Sequence, residues 1–92
     1  MSVDAIRAMS EQLAADPTSL VFLPLAEALL ARGEVANAYR VERRGADRHV
    51  HRADVHDLVA RVALAQGDEQ TAERAWGESL AIARDFGPAL RG

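Results

Sequence analysis

Gly33 and Gly67 lie 34 residues apart, and the residues around them repeat with the same spacing. An acidic residue follows each glycine, and further pairs coincide when the chain is shifted by 34 residues: Ala26 with Ala60, Leu30 with Leu64, Ala31 with Ala65, Ala38 with Ala72 and Arg40 with Arg74. A repeat of this length holds two helices and a turn, which cannot bury their apolar face without a neighbour. The repeat therefore predicts two helical hairpins stacked against each other.

Apolar residues recur at spacings of three and four along most of the chain, which is the periodicity of α-helices. We predict five helices, over residues 3–15, 19–32, 34–48, 53–66 and 68–84. Ser2 and Thr18 are candidate N-caps. Pro24 is expected to kink the second helix, and Gly87-Pro88 to end the fifth. No segment alternates with a period of two, so we expect no sheet.

The spacing and residue types resemble the tetratricopeptide repeat family. The positions that carry the resemblance are the turn glycines, the small residues Ala26, Ala60, Ala38 and Ala72, the larger residues Leu25, Val59, Phe22 and Trp76, and the ending Asp16-Pro17. Extending over residues 16–86, it implies an all-α fold, with antiparallel helical hairpins stacked as a short right-handed solenoid. The chain would be one domain, a bacterial-type family member or fragment, with a capping helix at 1–15, repeats at 19–52 and 53–86, and a tail or the start of another helix at 87–92.

In this family the first helix of each repeat lines a peptide-binding groove. Here the resemblance assigns the groove to Leu20, Leu23, Glu27, Asp57, Leu58, Arg61 and Leu64. Members that clamp a C-terminal carboxylate use Lys, Arg and Asn at such places, whereas this groove has only Arg61. An apolar groove edged by a few charges suits an amphipathic helix or an extended apolar peptide.

The third segment departs from the family pattern at Glu42, Gly45 and Ala46, where large apolar or small packing residues are usual. An unpaired buried Glu42 is costly, and a missing leucine at position 46 leaves a void. We therefore predict that a partner helix completes this surface, and the simplest partner is a second copy of the chain in a homodimer.

Arg40, Arg44 and Arg48 are spaced by four residues and predict a basic stripe on the third helix. Such a stripe suits phosphates or an acidic partner. The net charge of the whole chain is −3, which argues against nucleic acid as the main ligand.

Composition excludes several other classes of function. The chain has no cysteine, so it holds neither a disulfide nor a thiolate metal site. His49, His51 and His56 match no metal-binding spacing, and His49 and His51 are interpreted as residues of a solvated turn between helices. No nucleophile elbow or phosphate loop is present, so we expect no catalytic residue and no cofactor. Without a signal peptide or a membrane-spanning segment in the chain, a cytoplasmic location is expected.

The sequence thus predicts a non-enzymatic adaptor or scaffold that binds a partner helix or peptide. Two alternatives stay open: a structural unit that associates with itself, and a regulatory appendage that belongs to a larger protein.

Overall fold

The computed structural model describes the backbone of residues 3–91 and the side chains of residues 3–84. Five helices account for most of this part: α1 (Val3–Ala15), α2 (Phe22–Ala31), α3 (Val35–Ala46), α4 (Ala53–Ala65) and α5 (Glu69–Arg91). Residues 3–91 contain no strand, so the predicted all-α class is confirmed. The candidate cap Ser2 and the last residue, Gly92, lie outside the described residues.

The segment before α2 differs from the prediction. Residues 18–21 form turns, and α2 begins at Phe22 rather than at Ser19. Thr18 is not its cap, because Thr18 donates its backbone N–H and its hydroxyl to Asp16 Oδ1, at 3.1 and 2.7 Å. These bonds also lower the pKa of Asp16. Pro24 therefore lies in the first turn of α2, where the backbone N–H groups lack helical partners anyway, and the predicted reason for a kink disappears.

The turns at the two repeated glycines are built alike. Gly33 and Gly67 adopt φ values of +78° and +82°, a left-handed conformation that glycine reaches without steric cost. Gly33 donates to Leu30 and Glu34 to Leu29, while the residues 34 positions later make the same two bonds, all at 2.9–3.0 Å. This paired arrangement is the Schellman motif that satisfies the last carbonyls of a helix. The repeat seen in the sequence is therefore present in backbone geometry as well.

The fifth helix is longer than predicted. It continues through Gly87 and Pro88 to Arg91. A proline removes one backbone donor, and a single missing bond does not oblige a helix to stop. The residues predicted as a tail therefore continue α5 as far as the backbone is described.

Contacts between the helices follow the order of the two hairpins. Helix α2 packs against α1, α3 and α4, and α4 packs against α2, α3 and α5. Within the described chain, no Cα atom of α1 lies within 8 Å of one in α3, and the same holds for α3 and α5. The main core contains Phe22, Leu25, Leu29, Val55, Leu58 and Val62, and a smaller alanine cluster joins α4 to α5. Helices α1 and α3 therefore both pack on α2 with their backbones apart, and α3 and α5 pack on α4 in the same way.

The departures from the family pattern are explained inside the chain. Glu42, Gly45 and Ala46 are all buried, so they do not form the exposed self-association surface predicted from the sequence. At Gly45 an added Cβ atom would overlap the ring of Phe22, which shows that this glycine makes room for the aromatic side chain. The ring of His49 is stacked on that of Phe22 at a centroid distance of 5.7 Å. One aromatic residue of α2 therefore occupies the space that a larger residue on α3 would need.

Candidate functional site

Except for Leu58, the residues predicted to line the groove lie on one side of α2 and α4, with Leu20 in the turn just before α2, and we call this surface the α2/α4 face. Its centre is an ion pair between Arg61 Nη2 and Glu27 Oε2, 2.9 Å apart. These two residues are themselves separated by 34 positions, so equivalent sites of the two repeats lie side by side. The contact brings the stripe of Leu20, Leu23, Glu27 and Leu30 next to the stripe of Asp57, Arg61 and Leu64.

The charges at the centre of the α2/α4 face are paired within the chain. Arg61 Nε lies 3.1 Å from Asp57 Oδ2, although the two atoms are not aligned for a hydrogen bond. Trp76 of α5 donates its indole N–H to the other oxygen of Asp57 at 3.3 Å. Glu27, Arg61 and Asp57 thus form a connected set that offers little unpaired charge to a ligand.

Leucines flank this ion-paired centre. Leu64 is 47 % exposed and Leu20 is 38 % exposed, while Leu23 and Leu30 are half-buried against the core. Leu58 does not belong to this face, because its side chain is fully buried between the helices. The resemblance to the repeat family predicted Leu58 as a groove residue, and this prediction is wrong because the side chain is part of the hydrophobic core.

A second concave surface, the α1/α3 groove, was not predicted as a site. It is a cavity of about 410 Å³ between α1 and α3, open above α2. Ile6, Ser10, Leu13 and Ala14 of α1 form one wall, and Asn37, Arg40, Val41 and Arg44 of α3 form the other, with Glu34 at one end. Leu25 and Leu29 of α2 form the floor. The spacing of the arginines predicted a stripe but not the separation of α1 from α3, and without that separation there is no groove.

The predicted arginine stripe lies along this groove. Arg40 and Arg44 are exposed on its α3 wall, and Arg44 and Arg48 line an adjoining cleft of about 380 Å³ with Leu13, Ala14 and Pro17. Within residues 3–84, none of the three arginines forms an ion pair with a carboxylate. Arg43 points elsewhere and binds Asp47 at 2.9 Å. The three arginines spaced by four therefore share one side of the molecule.

The 34-residue repeat generates a related surface, the α3/α5 groove, between α3 and α5 above α4. It consists of two adjoining clefts of about 210 and 400 Å³. Its α5 wall holds Asp68, Thr71, Arg74, Ala75 and Glu78, and its floor holds Val59 and Ala63. Each of these residues lies one repeat, 34 positions, after a residue of the α1/α3 groove. The corresponding wall residues are Glu34, Asn37, Arg40, Val41 and Arg44, and the corresponding floor residues are Leu25 and Leu29.

Glu42 is the one buried acidic side chain of the described residues. It is 2 % exposed, and its Oε2 has no hydrogen-bond partner in the described part of the chain, with Arg43 Nε 3.4 Å away. Burial raises the pKa of Glu42, and the nearby Arg43 opposes this only in part. Its carboxylate is half of a poorly aligned ion pair, so the burial of this charge on the α3/α5 side of the molecule is costly.

The histidines have individual structural contacts. His49 Nε2 lies 2.9 Å from the Thr18 carbonyl and His56 Nε2 lies 2.7 Å from the Val50 carbonyl, so both rings donate from Nε2. His56 Nδ1 faces Glu78 at 3.1 Å. Among the described side chains, no group of three or more histidines and carboxylates is arranged to hold a metal ion.

No helix in the described part of the chain is both long enough and apolar enough to cross a membrane. Comparison of the sequence with protein-family models and with curated proteins, and of the fold with solved structures, gave no match.

Proposed function

We propose that this protein is a non-catalytic interaction module of the tetratricopeptide type, in which α1 precedes two stacked hairpins. The observation that carries the proposal is the ion pair between Glu27 and Arg61, which sets equivalent positions of the two repeats side by side. The two identical glycine turns support the same arrangement. In this reading the α2/α4 face binds a helix or an apolar peptide of a partner protein.

The chemistry of the α2/α4 face favours an apolar ligand. Arg61 forms ion pairs with both Glu27 and Asp57, so a charged ligand would have to break internal pairs before binding. Leu20 and Leu64 remain exposed on either side of the pairs, and burying exposed leucines is favourable. A partner that presents apolar side chains, rather than a C-terminal carboxylate, fits this distribution.

Affinity capture with three baits tests this proposal. The baits are the wild-type chain, the double variant Leu20→Glu with Leu64→Glu, and Val50→Glu as a control. Val50 is matched to Leu64 because it is also 47 % exposed, yet it lies in the connection between α3 and α4. A true partner is captured by the wild type and by the control but lost from the double variant, and binding of the purified partner is then measured by calorimetry.

The proposal fails if the captured proteins bind all three baits equally. Circular dichroism of each bait is needed alongside, because loss of binding counts only where the helical signal is unchanged.

A second candidate function, self-association, is favoured by one observation on α5. Leu80 is 62 % exposed, although it stands one repeat after Ala46, which is buried in the core cluster with Val55 of α4. A second copy could cover Leu80 as α4 covers Ala46. Sedimentation equilibrium of the wild type and of Leu80→Glu decides this candidate, which requires a wild-type dimer that the variant lacks.

A further inference from the structure

The α1/α3 groove lies on the opposite side of α2 from the α2/α4 face. Leu25 and Leu29, which form its floor, are about half a helical turn away from Leu23 and Glu27 on the other face. A ligand in this groove would therefore leave the α2/α4 face free. The groove is a separate surface and requires a separate explanation.

The floor and one wall of the groove are apolar. Leu25 and Leu29 belong to the core cluster, and Ile6 and Val41 pack partly against it while still lining the cavity. A cavity of about 410 Å³ accepts several apolar side chains of a ligand rather than its whole backbone. Apolar side chains placed there would complete a core that α1 and α3 leave open.

The α3 rim of the groove is basic and unpaired. Arg40 and Arg44 are exposed on this rim and Arg48 follows them, and within the described chain none of them meets a carboxylate. Guanidinium groups form their strongest contacts with carboxylates, often through two parallel hydrogen bonds. The only acidic residue that lines the groove, Glu34, is held by Arg32 and Asn37.

We propose that the α1/α3 groove is a docking site for an acidic amphipathic helix of a partner protein. Its apolar face would lie against Ile6 and Val41, which are partly exposed above the buried Leu25 and Leu29. Its carboxylates would pair with Arg40, Arg44 and Arg48. The basis is charge complementarity: an apolar floor bordered by three unpaired cations selects a ligand with an apolar stripe and flanking acids.

A helix fits this surface better than an extended chain. The floor and walls are helices whose backbone groups are already bonded, so an extended ligand would bury N–H and C=O groups without partners. A helix satisfies its own backbone bonds. Arg40 and Arg44 are one turn apart on α3, about 6 Å, and carboxylates spaced by four on a ligand helix repeat at the same interval.

A pair of synthetic peptides tests the site directly on the full chain. The first is a helix of about four turns with leucines at i, i+3, i+4 and i+7 and glutamates on both flanks. The second has lysine in place of every glutamate. Fluorescence anisotropy should show binding of the acidic peptide that weakens as salt is raised, and binding of the basic peptide at least tenfold weaker.

Two pairs of variants locate the binding. Arg40→Glu with Arg44→Glu is matched by Arg74→Glu with Arg84→Glu, which makes the same change in net charge, and Arg74 stands one repeat after Arg40. Ala14→Trp fills the groove, and Ala8→Trp adds the same side chain to an exposed position on the opposite side of α1. We expect the groove variants to weaken binding about tenfold or more and both controls to stay within about twofold.

Several results would overturn the proposal. They are equal binding of the acidic and basic peptides, equal loss in the groove and control variants, and no binding of the acidic peptide at about 1 mM. A wild-type dimer that Ala14→Trp dissociates would assign the groove to a second copy instead. Single-stranded RNA that binds the wild type more tightly than the acidic peptide does would assign the arginines to phosphates. Since Ala14→Trp leaves every charge in place, the proposal remains testable even if the arginine variant fails to fold.

Discussion

The α1/α3 and α3/α5 grooves are built to one plan and differ in what their side chains leave unsatisfied. In the first, the floor consists of leucines, and Arg40 and Arg44 on the α3 wall form no ion pair with any carboxylate among residues 3–84. In the second, the floor consists of the smaller Val59 and Ala63, and Glu78 stands where Arg44 would be. That glutamate faces His56, so its charge is used inside the protein.

The comparison separates what the backbone repeat determines from what individual residues determine. The repeat produces the same arrangement two times: α1 and α3 lie apart on α2, and α3 and α5 lie apart on α4. The residues then decide that the first gap carries Arg40 and Arg44 without ion pairs among residues 3–84, whereas the second carries Glu78 beside His56. The functional difference between the two grooves therefore depends on positions where the repeat is not kept, such as Arg44 and its equivalent one repeat later, Glu78.

The largest effect is expected at Gly45, which sets how closely α3 approaches α2 and so the position of the wall shared by both grooves. Gly45→Ala forces the ring of Phe22 to move, and overpacking of a buried site should lower the free energy of unfolding by about 2–3 kcal/mol. Gly77→Ala is the control, because its Cβ would meet no atom and alanine should stabilise α5 by roughly 0.5–1 kcal/mol. Urea unfolding followed by circular dichroism measures both, and equal changes would contradict the role given to Phe22.

The next effect concerns the buried carboxylate beside the α3/α5 groove. Glu42→Leu removes a charge that lacks a well-aligned partner, and we expect it to raise the free energy of unfolding at pH 7 by about 1–3 kcal/mol. Trp76, one repeat later, already provides an apolar side chain at this position.

The pH dependence of this effect has a definite sign. Because burial raises the pKa of Glu42 in the folded state, the cost of its charge is full above that pKa and disappears as the pH falls towards the value in the unfolded chain. The gain from Glu42→Leu should therefore shrink on acidification. Glu73→Leu, at an exposed site of α5, provides the comparison and should show neither the gain nor its pH dependence.

Sequence reasoning reached the helices and the repeat because periodicity and glycine turns are local signals. It gave the bounds of α1 and the repeat pair of Ala26 with Ala60, directly after which Glu27 and Arg61 form their ion pair. It failed where packing overrides the family register. Leu58 was placed in the groove and lies in the core, and Gly45 was read as a defect although it accommodates Phe22.

The α1/α3 groove shows the limit of this reasoning most clearly. The spacing of Arg40, Arg44 and Arg48 indicated a stripe, but nothing local in the sequence says that α1 stands away from α3. The sequence also does not reveal that these arginines lack ion pairs with the carboxylates of the described chain. Both facts depend on the relative placement of helices distant in sequence.

A smaller gain is expected from filling the cleft beside Ala46. This residue lines the α3/α5 groove with Val55, Val59 and Ala75, in the cleft of about 210 Å³. Ala46→Leu should place added methyl groups against these side chains and raise the free energy of unfolding by about 1 kcal/mol. A fall instead would mean that the cleft closes in solution and that the leucine overpacks it.

The smallest effect compares the acidic residues that begin the last helix of each repeat and line the two grooves. Asp68 Oδ1 accepts the backbone N–H of Thr71 at 3.1 Å and so caps α5. Hydrogen bonding to Thr71, through its side chain first and its backbone second, lowers the pKa of Asp68. Glu34 holds the equivalent position before α3 but makes no cap, since its carboxylate binds Arg32 and Asn37. Asp68→Ala should therefore lower the melting temperature more than Glu34→Ala does at pH 7.

Because the pKa of Asp68 is lowered by folding, its stabilisation is present above the unfolded-state pKa and is lost as the pH falls through the folded-state value. The pKa of Glu34 is also lowered, through Arg32 first and Asn37 second, so its smaller contribution to stability should also be lost as the pH falls.

Addition of salt distinguishes the contributions of Glu34 and Asp68, because screening weakens the exposed pair of Glu34 with Arg32 more than the short-range cap of Asp68. Melting curves of both variants at low and high salt give the measurement, and an equal salt dependence would show that the two repeats begin their last helices in the same way after all.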